Sequence, residues 1–461
     1  MTKGLLLALV AAAGLAAPTG LTAPRPSPPE VWRMDGYGTV LVRDADRLQE
    51  YQVTQVGCLK GMVAHRTGGQ GGAVRYRGDD GEAFTLRVSA DPARASLQVD
   101  GSTGHRSLRR AGRLPAACTR SEPTGPVAAF DVFWQTFQDN YPFFRAKGVD
   151  WAAQRERHRP RIDASTTEDE LFSVFKEMLS PLHDAHVAVL GGRPSRTFTQ
   201  VRPGTQAPSE ALDRRVKTYV EGRDLGGREL RDFARGRIAY ADLPHGRGYL
   251  RISGFSGYTK SGTFAADSAE LDRALDEILT PARTARLRGL IVDLRINGGG
   301  SDALGLRLAA RLTDRPHLAY AKRARNDPAD PTRFTVPQRL YVHPAAAPRY
   351  TGPVALLTGG STVSAGETFT QALMDRPGRT VRIGRSTQGV FSDTLSRRLP
   401  NGWRILLPNE EFSTRTGETF DGRGIPPHLP EPVFTDEEFS RHRDSAFDRA
   451  VRVLSGTPRS S

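Results

Sequence analysis

The sequence predicts an α/β protein that carries a small β module at its N-terminal end and a helical segment between the two. From about residue 248 onward, short apolar runs alternate with stretches of helical periodicity, which is typical of buried parallel strands joined by helices. Between residues 31 and 121, apolar and polar residues alternate instead, with Gly and Asp turns between the runs. With 25% charged and 38% hydrophobic residues in a chain of 461, the composition is that of an ordinary globular protein.

The first 23 residues predict a secretory signal peptide. Lys3 precedes an apolar run from Gly4 to Ala17, and Pro18 ends that run. A membrane-spanning helix needs about 20 apolar residues, so this run is too short to be one. We therefore expect a secreted or cell-envelope protein with no integral membrane segment after signal cleavage.

The β module, residues 31–121, contains both cysteines of the chain, Cys58 and Cys118. An exported chain meets an oxidising compartment, where two such cysteines form a disulfide. The alternative is a pair of buried free thiols. Neither cysteine belongs to a CxxC or Cys/His cluster, so zinc is not expected.

Residues 127–191 predict the helical part. Apolar side chains recur three and four residues apart from Phe130 to Tyr141, and a second helix opens at Thr167 with Glu170 completing a capping box. Residues 192–245 are polar and rich in Gly and Pro, and we expect an irregular connection there. The α/β core then spans residues 246–432, and residues 433–461 predict a C-terminal helix and tail.

The net charge of +14 raises nucleic acid as a partner. Only seven of the 65 basic residues are Lys, and the Arg residues are spread along the chain. The denser Arg clusters lack interleaved aromatic residues at a stacking spacing. We therefore expect no nucleic-acid partner.

Two strand-to-helix turns could carry chemistry. The first, Asp293 to Ser301, contains three successive glycines, whose backbone N–H groups could cradle a phosphate or form an oxyanion hole. The second places Ser364 among small residues at a helix N-terminus, where a nucleophile finds nearby N–H donors. A helix-capping serine is the structural alternative, and Ser361 is the nearest competing nucleophile.

His183 and His186 follow the second predicted helix. A histidine could serve as the base for a serine. Two His three residues apart could also bind a metal, but neither an HExxH pattern nor a further ligand cluster accompanies them.

Taken in order, these segments resemble the tail-specific (C-terminal processing) protease family, the S41 serine peptidases. The order is Asp-x-His, Asp-Leu-Arg-x-Asn-x-Gly-Gly, Gly-Ser-x-x-Ser-Ala-x-Glu, Ile-Gly-x-x-Thr-x-Gly and Gly-x-Gly-Ile-x-Pro, within about residues 128–432. The resemblance implies a ClpP/crotonase-like peptidase core. It also implies that Ser364 is the nucleophile, and that Gly298 or Gly299 forms the oxyanion hole with Ala365. The family often inserts a PDZ domain, for which residues 192–245 are too short.

One branch of the family uses a Lys as base, and Val390 stands at that position here. Because no Lys follows Lys322, a Ser–Lys dyad from this segment is excluded. The chain is similar instead to the tricorn-core-like branch, which implies His186 as base. Ala185 stands where that branch has a second Ser.

The same resemblance implies Asp421 as the residue that orients His186. Asp184, Glu367 and Glu410 remain alternatives. The function implied is an exported serine endopeptidase that cleaves polypeptides without a metal or cofactor. The main rival is a non-catalytic ligand- or peptide-binding protein on the same fold. An α/β-hydrolase esterase is disfavoured because no Gly-x-Ser-x-Gly elbow is present. The oligomeric state stays open.

Overall fold

The computed structural model describes residues 29–193 and 195–456. The predicted signal peptide, residues 1–23, lies outside these described residues. Within them, no helix has both the length and the apolar character needed to cross a membrane.

The predicted β module is a closed, eight-stranded antiparallel barrel in which each strand pairs with the next and the last pairs with the first. Alternate side chains point inward, because successive residues of a strand face opposite sides. Trp32, Leu48 and Leu86 are fully buried inside it. The strands are β1 (Glu30–Met34), β2 (Thr39–Arg43), β3 (Arg47–Val53), β4 (Cys58–Gln70), β5 (Ala73–Gly78), β6 (Ala83–Val88), β7 (Arg94–Val99) and β8 (Arg106–Ala111).

The Cys58–Cys118 disulfide is present, as predicted, and joins the start of β4 to the turn that follows the barrel. The cysteines are 60 residues apart, and a cross-link of this length stabilises by about 4 kcal/mol in the chain-entropy model.

We expect a Cys58→Ser/Cys118→Ser double variant to lose about 2–4 kcal/mol of unfolding free energy because its unfolded chain is no longer restrained. Denaturant unfolding of both proteins measures this difference. Adding reductant should shift the wild type to the variant's midpoint and leave the variant unchanged. Equal midpoints for oxidised wild type and variant would contradict the prediction.

Three helices follow the barrel, and their buried aromatic faces join it in one continuous hydrophobic core. The capping box predicted at Thr167 and Glu170 is confirmed. The helices are α1 (Gly125–Asn140), α2 (Trp151–His158) and α3 (Glu168–Leu179).

The α/β core is built on a seven-stranded sheet with the order β11-β12-β13-β14-β18-β20-β24. Strands from β13 onward are parallel, whereas β11 and β12 are antiparallel to their neighbours. A second sheet has the order β10-β9-β22-β21, a third the order β17-β16-β23, and β15 pairs with β19. The elements are β9 (Ala188–Gly191), β10 (Arg196–Thr199), α4 (Glu210–Tyr219), β11 (Arg231–Phe233), β12 (Ile238–Leu243), β13 (Arg247–Ile252), α5 (Phe264–Ile278), α6 (Pro281–Arg286), β14 (Gly289–Asp293), β15 (Ile296–Asn297), α7 (Asp302–Ala309), β16 (His317–Ala324), β17 (Gln338–Val342), β18 (Val354–Thr358), β19 (Ser361–Thr362), α8 (Ala365–Ala372), β20 (Thr380–Gly384), β21 (Thr394–Arg398), β22 (Arg404–Pro408), β23 (Glu410–Ser413) and β24 (Leu429–Pro430).

Two regions differ from the sequence-based expectation. The segment 192–245, expected to be irregular, contains α4 and strands β10, β11 and β12. The C-terminal helix is broken into α9 (Asp436–Ser440) and α10 (Ser445–Ser455). The break occurs because His442 has a positive φ of 51° and the Asp444 carboxylate caps α10 by accepting from the Phe447 N–H.

Candidate active site

The pairing of β15 with β19 brings the two predicted chemical turns together. Ile296 lies opposite Ser361 and Asn297 opposite Thr362, and the Val363 N–H donates to the Asn297 carbonyl at 2.9 Å. Both turns leave the carboxyl ends of neighbouring parallel strands, β14 and β18. The edge formed by strand carboxyl ends is the usual location of ligand sites in α/β sheets.

Gly299 packs directly against Ser364. A Cβ atom added at Gly299 would lie 2.6 Å from the Ser364 Cβ and 3.2 Å from its Oγ, so no other residue fits there. Gly299 also has a φ of +81°, which favours glycine. The close approach explains why a glycine stands at this point of the loop.

Ser364 has a strained backbone, with φ 56° and ψ −120°. Such angles are rare for a residue other than glycine and persist only where the surroundings impose them. Its N–H donates to the Val390 carbonyl at 3.1 Å and lies 3.2 Å from a Glu367 carboxylate oxygen. Ser364 is also the N-cap residue of α8 and forms a capping box with Glu367, so the helix-capping alternative stays open beside the nucleophile.

Ser361 is placed differently. Its hydroxyl donates to the Gln206 carbonyl at 2.7 Å, and the residue is 6% exposed. The competing serine is therefore engaged in a structural hydrogen bond.

Glu367 is fully buried and holds the Ser364 turn against the following segment. Its carboxylate accepts from the Gly389 N–H at 2.6 Å and from the Val390 N–H at 2.9 Å. Burial raises the pKa of this carboxyl to about 7, and these hydrogen bonds oppose the rise. Glu367 thus positions the backbone around the serine.

His186 lies just before β9. Its backbone N–H donates to Asp184 Oδ1 at 2.9 Å, while the Tyr141 hydroxyl donates to Asp184 Oδ2 at 2.8 Å. Burial lowers the pKa of His186, opposed by the charges of Asp184 and Asp393. The ring Nδ1 is buried and has no hydrogen-bond partner.

Asp421 is 7% exposed, and one of its carboxylate oxygens accepts from the Thr419 hydroxyl at 2.8 Å. Burial raises its pKa well above the usual range, and the Thr419 hydrogen bond opposes this. The nearby charges of Asp184 and Glu367 raise the pKa further.

A single segment, Gly389 to Asp393, touches all three predicted catalytic residues. The Val390 carbonyl accepts from Ser364, the Ser392 carbonyl favours the protonated form of His186, and the Phe391 backbone interacts with Asp421. Because five consecutive residues span less than about 18 Å even when extended, the three lie in one neighbourhood. Among the described residues, however, no hydrogen bond joins the Ser364 hydroxyl, the His186 ring and the Asp421 carboxylate directly.

Of the expected oxyanion donors, two already have acceptors. The Gly298 N–H donates to the Ser253 carbonyl at 3.1 Å, and the Gly299 N–H donates to Asn297 Oδ1 at 3.0 Å. Ala365 is the first residue of α8, so its N–H has no partner within the helix.

Sequence reasoning missed a buried polar network beside His186. Lys322 Nζ lies 3.2 Å from Glu410 Oε1 and 3.8 Å from Asp393 Oδ2, and the barrel residue Ser102 donates to Asp393. Burial favours a raised pKa for Asp393, but the Lys322 charge outweighs it and lowers the pKa. The only sequence signal for this network is a Lys within an apolar strand. Glu410, one of the alternative acids for orienting His186, forms an ion pair with Lys322 instead.

Metal chemistry requires converging ligands. In the part of the chain that the structure describes, we find no group of three or more His, Cys, Asp or Glu side chains that could hold a metal ion.

Residues 246–430 match the family model described as peptidase family S41, and residues 128–180 match the tricorn protease C1 domain. The α/β core of the chain belongs to peptidase family S41. The S41 match includes both chemical turns, and the tricorn match covers α1 to α3, as the predicted tricorn-core-like branch implies. No curated protein matches the sequence significantly.

Solved structures share the fold of this S41 chain. A candidate peptidase from Parabacteroides merdae is 23% identical with a TM-score of 0.61, covering 74% of this chain and 99% of its own. Mature CPAF complexed with lactacystin is 13% identical with a TM-score of 0.50, covering 72% of this chain and 97% of its own. The predicted fold class, an S41-type core with a preceding helical segment and a small β module, is confirmed.

Proposed function

We propose that this S41 chain is an exported serine endopeptidase with Ser364 as nucleophile and His186 as general base. The observation that carries the proposal is the strained Ser364 turn. Gly299, Val390 and Glu367 all contact Ser364 and together hold its backbone at these angles. Strain of this kind is retained where a nucleophile must be presented.

In the proposed reaction, the Ser364 oxygen attacks the peptide carbonyl as its proton passes to His186. The Ala365 N–H, at the start of α8, stabilises the oxyanion. His186 then protonates the departing amine, and water releases the acyl group by the same route. Asp421 or its neighbour Asp184 orients the imidazole. Export is supported by the predicted signal peptide and by the disulfide.

The test combines an unstructured polypeptide substrate with a fluorophosphonate, which labels activated serines. We expect the folded, disulfide-intact protein to cleave the polypeptide and to carry the label on Ser364, as peptide mass spectrometry would locate it. A folded protein that neither cleaves nor becomes labelled would overturn the proposal.

The second candidate is a non-catalytic binding protein on the S41 fold. The missing direct hydrogen bond between Ser364 and His186 favours it. Catalytic hydrogen bonds often tighten only when substrate binds, and for this reason we prefer the peptidase. Polypeptide binding without cleavage or labelling would decide for the second candidate.

The pH dependence follows from the burial of His186. A general base acts when it is neutral, and burial lowers the pKa of this histidine below its usual 6.5. We therefore expect kcat/KM to rise with pH through a midpoint below 6.5 and to be level above neutrality. Initial rates at low substrate concentration across this range measure the profile. A rising limb centred at or above pH 7 would contradict the prediction.

A further inference from the structure

The loop between β7 and β8 of the barrel contacts the candidate active site at two points. The Gly101 carbonyl accepts from the Ser301 hydroxyl at 2.7 Å and from the Ala303 N–H at 3.3 Å, where the glycine loop meets α7. The next residue, Ser102, donates from its hydroxyl to Asp393 Oδ2. The barrel therefore contacts both the glycine loop and the segment that carries Asp393.

Strand topology places Asp393 and His186 at one edge of the second sheet. In the order β9-β22-β21, strands β9 and β21 lie on either side of β22, and each is antiparallel to it. His186 lies two residues before β9, and Asp393 directly precedes β21, so both are at the edge where these two strands begin. Because neighbouring strands are about 4.8 Å apart, β9 and β21 are separated by about 10 Å. An imidazole and a carboxylate that extend towards each other can interact across this distance.

The charges of His186 and Asp393 act on each other. Burial lowers the pKa of His186, and the negative charges of Asp184 and Asp393 oppose this effect. Burial alone would raise the pKa of Asp393, but the pKa is lowered by surrounding donors and positive charges, which in order of influence are Lys322, Ser102, Arg106 and His186. Asp393 is therefore held in its ionised form beside the imidazole.

The other two acids near His186 are engaged differently. Asp184 Oδ1 accepts from the His186 backbone N–H at 2.9 Å, and Asp184 Oδ2 accepts from the Tyr141 hydroxyl at 2.8 Å. Burial raises the pKa of Asp421 well above its usual range, which favours the uncharged carboxylic acid. In the described part of the chain, Asp393 Oδ1 accepts no hydrogen bond, and 33% of the Asp393 side chain is exposed. Asp393 thus combines a negative charge with an oxygen that is available to the imidazole.

Asp393 also belongs to a wider group of buried charges. Lys322 Nζ is 3.2 Å from Glu410 Oε1 and 3.8 Å from Asp393 Oδ2. The pKa of Asp302, the first residue of α7, is raised to about 7 by burial and by the Asp393 charge. Arg106 of β8 adds a further positive charge that acts on Asp393. Because Lys322 keeps Glu410 as a partner, Asp393 can be neutralised without leaving Lys322 unpaired.

We infer that the barrel takes part in catalysis through Ser102 and Asp393. Ser102 fixes the Asp393 carboxylate, and this carboxylate stabilises the imidazolium that forms when His186 takes the proton of Ser364. The inference rests on the proposed role of His186 as general base. Asp393 stays ionised throughout, and neither it nor Ser102 touches the reacting atoms, so both are positioning residues. A domain that precedes the S41 core thus supplies part of the electrostatic environment of its site.

Asp393→Asn tests the inference, because it removes the negative charge and keeps the shape of the side chain. We expect His186 to titrate at a lower pH in this variant, since its imidazolium loses a counter-charge. NMR of ring-labelled histidine in the full disulfide-bonded protein measures the titration, and a His186→Gln variant assigns the signal. We also expect kcat/KM to fall about tenfold or more, with its rising limb moved to lower pH.

Three further variants separate the charge effect from a structural one. Asp393→Glu keeps the charge, so His186 should titrate nearer to the wild-type midpoint than it does in Asp393→Asn. Ser102→Ala keeps every charge and should move both readouts in the same direction by less, because Asp393 loses its anchor. This variant also serves if Asp393→Asn does not fold, which its thermal transition would reveal. Asp272→Asn, which removes an exposed carboxylate paired with Arg307, is the matched control and should change neither readout.

The NMR titration also separates this inference from the proposed peptidase activity. If the wild type cleaves no polypeptide but Asp393→Asn still lowers the titration midpoint of His186, the peptidase proposal fails while the coupling of Asp393 to His186 is supported. The inference is overturned if Asp393→Asn leaves the midpoint unchanged, if Asp421→Asn lowers it by more than Asp393→Asn does, or if Ser102→Ala matches the wild type in both readouts.

Discussion

Replacing Ser364 by Ala is expected to lower kcat/KM for peptide hydrolysis by about 10³-fold or more, because the nucleophile is removed. The oxyanion hole and the binding surface stay in place, so a small residual rate is expected. Initial rates on a fluorogenic peptide, with the fluorophosphonate as a second readout, measure the loss. The variant should keep the wild-type fold, because the hydrogen bonds of the Ser364 backbone N–H to Val390 and Glu367 do not depend on the hydroxyl.

Ser361→Ala is the matched control. It removes a hydroxyl three residues away that donates to the Gln206 carbonyl. We expect a stability loss of about 1 kcal/mol and a kcat/KM within several-fold of the wild type. Equal losses of activity in the two variants, or a Ser364→Ala variant that keeps more than a tenth of the wild-type rate, would contradict the assignment.

Ser364→Gly extends the same comparison to stability. Glycine adopts the observed backbone angles of φ 56° and ψ −120° without the penalty that a Cβ brings. Both variants lack the hydroxyl, so they differ mainly in this strain. We expect the free energy of unfolding of the Gly variant to be about 1 kcal/mol higher than that of the Ala variant.

The second large effect is on stability and concerns Arg295. Its side chain is fully buried between two carboxylates, with Nη2 2.7 Å from Asp293 Oδ2 and Nη1 2.7 Å from Asp444 Oδ1. It also stacks on Phe434, whose ring centre is 4.1 Å from the guanidinium carbon. We expect Arg295→Met to cost about 3–5 kcal/mol, because two buried carboxylates lose their counter-charge.

The pH dependence of this loss identifies its origin. Burial favours a raised pKa for Asp293, but Arg295 outweighs burial and lowers it. In the wild type, the Asp293–Arg295 pair stabilises the folded protein at pH values above the usual aspartate pKa. This stabilisation is lost as the pH falls through the lowered pKa of Asp293. In Arg295→Met the unpaired Asp293 carboxyl accepts a proton more readily, so the difference in unfolding free energy between variant and wild type should narrow towards acid pH.

Denaturant unfolding at neutral and mildly acidic pH measures the gap. Arg307→Met is the control, because Arg307 forms an exposed ion pair with Asp272 that should contribute less than about 1 kcal/mol. If Arg295→Met lost the same unfolding free energy at both pH values, the loss would come from altered packing and not from the missing charge.

The sequence was informative wherever a local pattern determines the structure. Alternation predicted a β module, although not its closure into an eight-stranded barrel. The Thr167–Glu170 pair predicted a helix start, and two cysteines in an exported chain predicted the disulfide. The glycine loop and Ser364 could be found because each follows a strongly apolar strand. Their proximity, in contrast, depends on the pairing of β15 with β19, which spans two residues.

Features that depend on long-range contacts could not be predicted. In α4 the buried position is Val216, within a helix that is otherwise mostly charged, so its periodicity is faint. Lys322 is on β16 of the third sheet and Asp393 directly precedes β21 of the second sheet, so they come together only in the folded protein. The acid that orients His186 is ambiguous for the same reason, since Asp184 is close enough for its charge to act on Asp421.

The contacts between barrel and core also bear on how the protein can be divided. The Gly101 carbonyl accepts from Ser301, at the end of the glycine loop, and the Asn409 amide donates to the Gly36 carbonyl. Ser102 donates to Asp393 in the network beside His186. A shortened protein beginning at Gly125 would lack these partners and would expose the apolar faces of α1 to α3 that share a core with the barrel. We therefore expect the S41 core to need the barrel in order to fold stably, so the two parts cannot be separated without loss of structure.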